Sequence, residues 1–424
     1  MTRPEWRPFV RNAIALTAAQ TAAPALNVFL VVFMARRAGP ETLGVYALLV
    51  AAFLVADQLR LSGLPRLLTR EIAAGRPGAA RLPQNVIAIA DLGGVLAAGA
   101  FIFYGISVAA PLAAVLTFAV GLAPSARIAV NDAIFLALGR ADYTTRIVVI
   151  ECSLRVSASL VILWLIGGHL GALAAAWATG RFVAAAVGAH YRRRLIGRAE
   201  SAREWSEVRS LIPHIPSFFG VTALPLVLLR ADLLVVGAVA GTQELGLYGA
   251  ASRLATVLLV VPDGVMQAAF ALLSRARDAA ARRDTAAALG GAALVLLVPA
   301  AGVVAALAAP LAVLVYGTAF AGSGAYLSWL VWGLPLFVLC RTVGDALISA
   351  GHQRRLALVI VGTVIVSAPI YALLIARFGP RGAAMAYVAS LVVLLIGSAV
   401  AARTLLLRAP QRRRGELTEA VGIR

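Results

Sequence analysis

The chain has 424 residues, 61% of them hydrophobic and only 13% charged, and its mean hydropathy is +0.90. Soluble domains carry about a quarter charged residues, so much of this chain needs lipid as its solvent, which excludes a soluble enzyme or binding module. The net charge of +19 rests on 38 arginines that fall mostly between apolar runs, a pattern of membrane topology and not of a nucleic-acid face, so no nucleic-acid partner is expected.

Crossing a bilayer takes about 20 apolar residues. Runs of that kind occupy 12–35, 43–64, 83–108, 112–138, 145–166, 169–190, 211–238, 244–272, 286–309, 323–349, 355–376 and 382–405. The first follows a basic stretch but is too long for a signal-peptide core, and reads as an uncleaved span. Short alternating segments of a barrel are absent, so the spans are helices. Pro24, Pro124, Pro216, Pro225, Pro262, Pro299, Pro335 and Pro369 lie within them, where proline kinks or breaks a helix. Between the sixth and seventh spans, 191–210 mixes six Arg with three Glu and reads as an amphipathic linker; a polar tail follows 405.

With both termini cytoplasmic, and span-end residues counted with the adjoining loop, the inner segments hold 28 arginines and the outer loops four, leaving six inside spans. That asymmetry sets the orientation. The expected fold class is therefore an all-α, multi-pass integral membrane protein of twelve transmembrane helices in two six-helix lobes, 1–190 and 211–405, joined by the linker 191–210 and followed by a cytoplasmic tail, 406–424.

The lobes echo one another. Ala38-Gly39-Pro40-Glu41-Thr42-Leu43-Gly44-Val45-Tyr46 returns 202 residues later as Ala240-Gly241-Thr242-Gln243-Glu244-Leu245-Gly246-Leu247-Tyr248. Gly168-His169-Leu170-Gly171-Ala172 pairs with Gly379-Pro380-Arg381-Gly382-Ala383, and Leu138-Gly139 with Ala350-Gly351. Six spans per copy make the repeats parallel, the arrangement of transporters that bind substrate between halves and alternate access by rocking them.

Several of these motifs resemble a known family. Ala35-Arg36, Gly39-Pro40-Glu41, Leu43-Gly44-Val45-Tyr46 and Thr69-Arg70-Glu71-Ile72 stand as in the oligosaccharide and polysaccharide flippases, whose superfamily also holds the multidrug and toxin extrusion antiporters. The segments 229–265 and 347–388 agree, so the resemblance covers about 12–405. It implies alternating-access movement of a polyprenyl-diphosphate-linked glycan from the cytoplasmic to the outer leaflet of a bacterial inner membrane, for cell-surface polysaccharides such as lipopolysaccharide or exopolysaccharide. Relatives that flip the peptidoglycan precursor usually carry two further spans, which argues against that substrate. The alternatives are an ion-coupled multidrug antiporter and a membrane-embedded glycan polymerase or ligase.

A charge at bilayer depth costs from about 2.5 to over 10 kcal/mol, so each one asks for a partner or a role. Glu151 with Arg155, and Arg341 with Asp345, are four apart and read as neutralising couples. Arg127, Arg181 and Arg253 have no acid at that spacing, and Arg230 and Asp232 are two apart. Arg230, Arg253, Arg127 and Arg181 are the candidates for holding the diphosphate, since the guanidinium fork gives bidentate bonds to phosphate and keeps its charge. Asp232, Glu151 and Asp57 are the candidates for a coupling ion, H⁺ or Na⁺. No P-loop, HExxH or Asp-x-Asp motif occurs; Cys152 and Cys340 sit in apolar runs, and the four histidines form no metal spacing. No cofactor and no catalytic residue is expected.

Overall fold

The computed structural model describes residues 6–61, 63–73, 82–196, 230–275 and 279–406. These are largely helical, with no strand among the described residues. Ten helices are long and apolar enough to cross a membrane. The first, Leu26–Leu61, has 36 residues and would reach about 54 Å if straight, far more than the ~30 Å of a hydrocarbon core. It is part of the helix Trp6–Leu61, which breaks at Gly39, whose φ of 77° only glycine adopts readily, and so holds the expected span 12–35 and most of 43–64. Most of the expected seventh span lies outside the described residues, of which 230–239 are helical. The linker also lies outside beyond Ile196, where the helix Leu170–Ile196 stops being described, as does the tail after Leu406.

Two local differences from expectation have physical causes. The expected outer loop after 309 is mostly a helix, Ala308–Tyr316, because its run of apolar residues is drawn into the core: Ala312, Tyr316 and Phe320 are all buried. The expected span 112–138 is two helices, Leu112–Leu122 and Ser125–Ala137, since Pro124 has no N–H to continue the ladder.

Arg60 closes that break. The sequence places it with the loop arginines, yet it is 4% exposed. Its Nε donates to the Ala90 carbonyl at 3.1 Å, one terminal nitrogen to the Leu122 carbonyl at the helix end, and the other to Asp91 Oδ1 at 2.8 Å. Gly94 makes room, since a Cβ there would stand 3.1 Å from Arg60 Nε. Arg60→Ala is expected to lower stability by about 3 kcal/mol, because it leaves the Leu122 carbonyl at the helix end unpaired and removes the nearer of Asp91's two arginines. Arg127→Ala removes a half-exposed guanidinium 3.5 Å from the same Asp91 and is expected to change stability by less than about 1 kcal/mol. Melting temperatures of the two purified variants check both.

The repeat is visible in the backbone. Gly139 and Gly351, and likewise Gly167 and Gly379, end or separate helices with φ between 58° and 81°, and both pairs lie 212 residues apart. The halves meet chiefly where Trp6–Leu61 packs on Thr242–Leu258. There the two copies of the repeated motif touch: a Cβ on Gly44 would fall 2.5 Å from the Gly246 nitrogen, and one on Gly246 would overlap the Pro40 carbonyl. Arg36 then reaches across to the end of Ala308–Tyr316, donating to the Leu314 and Val315 carbonyls at 2.6 and 2.9 Å. Tyr104 bridges to the Leu234 carbonyl at 2.6 Å. The seam lies at one end of the bundle, the end that the arginine pattern predicts to be outer.

Candidate functional site

Below the seam the halves part around a cavity of about 300 Å³. Residues on both sides of the Gly39 break, Leu30 and Tyr46 among them, line it, so the first helix folds back along it. Its charged lining is Glu151, Arg155, Arg181, Arg230 and Arg253. Of the candidate residues, the structure thus brings Arg181, Arg230, Arg253 and Glu151 together.

The four arginines are held differently. Arg230 and Arg253 make no ion pair or side-chain hydrogen bond among the described residues, and Arg230 Nε is buried without a partner. Arg181 is shared: it lies 3.2 Å from Asp57 Oδ2, also donates to Ser125 Oγ, and sits 5.6 Å from the Phe53 ring. Arg155 is 7% exposed; it donates to Asn27 Oδ1 at 2.9 Å and lies 4.4 Å over the Trp177 ring. A cation–π contact of this kind contributes about 2 kcal/mol when desolvated.

The expected Glu151–Arg155 couple is therefore not made, because Asn27 and Trp177, distant in sequence, offer Arg155 a polar and an aromatic partner. The Arg341–Asp345 couple is made, at 3.1 Å. Arg127 lies outside the cavity, paired with Asp91, and Asp57 lies behind the wall as the partner of Arg181. Asp232 is 3% exposed, accepts a hydrogen bond from Tyr248 at 2.8 Å, and faces a second cavity in the other half.

Spacing along the helix does not mark Arg155 as a cavity residue, since Glu151 stands four residues away. A signal was available: Glu151 and Arg155 share one face of a helix otherwise surrounded by apolar positions, and a doubly charged face in lipid turns inward. Four guanidinium groups against one carboxylate make the site attractive to a multiply charged anion.

The model of the polysaccharide biosynthesis protein family matches residues 9–277. The chain belongs to that family. Among curated proteins none matches it in sequence. Solved structures share its fold. A multidrug resistance MATE family transporter of the MOP superfamily, in an inward-facing conformation, matches with TM-score 0.71 and 14% identity over 94% of this chain and 100% of that one. The lipid II flippase MurJ in an inward closed conformation matches with TM-score 0.72 and 13% identity over 92% of this chain and 87% of that one. An outward-facing MATE transporter matches with TM-score 0.64 and 14% identity over 94% and 95%. This family member is an all-α integral membrane protein with a two-lobed helical fold, and its family and fold neighbours are transporters or flippases, not enzymes.

Proposed function

We propose that the protein moves a polyprenyl-diphosphate-linked oligosaccharide from the cytoplasmic to the outer leaflet of a bacterial inner membrane, by alternating access of lobes 1–190 and 211–405, for cell-surface polysaccharide synthesis. The observation that carries this reading is the arginine-lined cavity between the two halves of a polysaccharide biosynthesis family member. Arg230 and Arg253, neither in an ion pair among the described residues, grip the diphosphate; Arg181 joins them, with Asp57 tempering its charge. The polyprenyl tail stays in lipid. A substrate of organic cations, as in multidrug export, fits such a cavity poorly.

The closed seam supports an inward-facing state, as does the higher TM-score with the inward-facing MATE transporter than with the outward-facing one. Glu151 is the acid we assign to the coupling ion, H⁺ or Na⁺, because it faces the cavity without an ion pair among the described residues, whereas Asp57 and Asp232 are already engaged. Glu151→Gln is expected to leave substrate binding within about threefold while removing the response of transport to an imposed ion gradient; proteoliposome transport with and without the gradient checks it.

Deleting the gene and labelling lipid-linked glycan by leaflet tests the whole reading. It predicts glycan trapped on the inner leaflet and released when the gene is restored. Glycan that still reaches the outer leaflet, with raised drug sensitivity, would favour export of drugs instead.

A further inference from the structure

The second cavity, about 320 Å³ and walled by the second half, shares Arg230 and Ser252 with the first. The two spaces thus adjoin across Arg230, but their chemistry differs. The first is cationic. In the second, Arg341 is divided between Asp263 at 3.6 Å and Asp345 at 3.1 Å, and Asp232 and Asp263 face the same space. Two carboxylates offset the arginines, so a phosphate gains nothing by entering. Aromatic surface completes the lining: Phe337 and Tyr387. The Tyr387 ring can lie where it does because position 333 is glycine, at which a Cβ would stand 2.6 Å from the ring.

Carboxylates that accept from hydroxyls, arginines that donate to ring oxygens, and aromatic faces that cover C–H groups are the chemistry of a sugar site. We infer that this second cavity holds the sugar attached directly to the diphosphate, with Arg230 at the junction bonding the sugar-bearing phosphate. The inference rests on the diphosphate reading of the first cavity and adds a place for the first sugar residue. In it, Asp263 accepts from sugar hydroxyls and the Phe337 ring packs on the sugar face.

The test uses the full-length protein in lipid nanodiscs and two kinds of probe, farnesyl diphosphate alone and farnesyl diphosphate carrying one N-acetylglucosamine or one glucose. Wild-type protein is expected to bind a sugar-bearing probe about tenfold tighter than farnesyl diphosphate. Asp263→Asn and Phe337→Ala are each expected to cut that gain to less than about threefold and leave farnesyl diphosphate affinity unchanged. Arg253→Ala is expected to weaken both kinds of probe equally. A wild type that binds all probes alike, or variants that keep the full gain, would overturn the sugar site while the diphosphate reading stands. Farnesyl diphosphate that fails to bind, or binds equally well without Arg253, would overturn both.

Discussion

Replacing Arg253 or Arg230 with alanine is expected to lower glycan translocation by about 10- to 100-fold without loss of the protein from the membrane. The size follows from removing charge-assisted hydrogen bonds worth about 1.5–3 kcal/mol each, at about 1.4 kcal/mol per tenfold. Stability should fall little, because neither guanidinium group makes an ion pair among the described residues and removing one relieves repulsion from the other cavity arginines; Arg230 also offsets the nearby Asp232, so Arg253→Ala is the milder of the two. That sets them apart from Arg60, whose loss strands the Leu122 carbonyl and leaves Asp91 only the longer contact with Arg127. Lysine at 253 keeps the charge but not the fork, and is expected to restore part of the activity. Transport measured alongside melting temperature checks the pair: a variant that loses stability and activity together would point to a structural role.

The second large effect is conformational. Gly246→Leu is expected to abolish transport by preventing closure of the seam, since any side chain there overlaps the Pro40 carbonyl. Overpacking typically costs 1–3 kcal/mol, and overlap with rigid backbone costs more. A shift of about 5.5 kcal/mol takes a 99:1 equilibrium to 1:99, so this one substitution can leave the lobes open at the Pro40 end for much of the time. A cysteine at Ser252, in a background lacking Cys152 and Cys340, reports on it through a membrane-impermeant thiol reagent added from outside. Strong labelling is expected with Gly246→Leu and weak labelling with glycine. Equal labelling would mean that the seam does not gate the cavity. Arg36, which holds the same end through two carbonyl hydrogen bonds, is expected to shift access by less than tenfold when changed to alanine.

The membrane-spanning helices that are described and the repeat were legible because hydropathy over twenty residues and motifs some 200 residues apart survive without knowledge of contacts. Gly139 with Gly351, flagged by sequence alone, take matching left-handed conformations. The charged contacts were legible only where both partners lie on one helix turn, as with Arg341 and Asp345. Arg181 meets Asp57 across 124 residues, and Arg155 meets Asn27 across 128. Nothing in local spacing encodes such pairings. Arg60 misled for a different reason: it stands near a span end, where arginine ordinarily reaches water, and only the break before Pro124 explains why it turns inward.

Movement of a lipid-linked glycan through the arginine cavity is the central claim, and reconstitution tests it most directly. Purified protein in liposomes, loaded with polyprenyl-diphosphate-linked oligosaccharide in one leaflet, is followed by a reagent that modifies only glycan outside. The account predicts transfer that requires the protein, is lost with Arg230→Ala and Arg253→Ala, and ceases when the seam cannot close. Transfer at the rate of empty liposomes, or undiminished transfer by the Arg230→Ala, Arg253→Ala double variant, would contradict it.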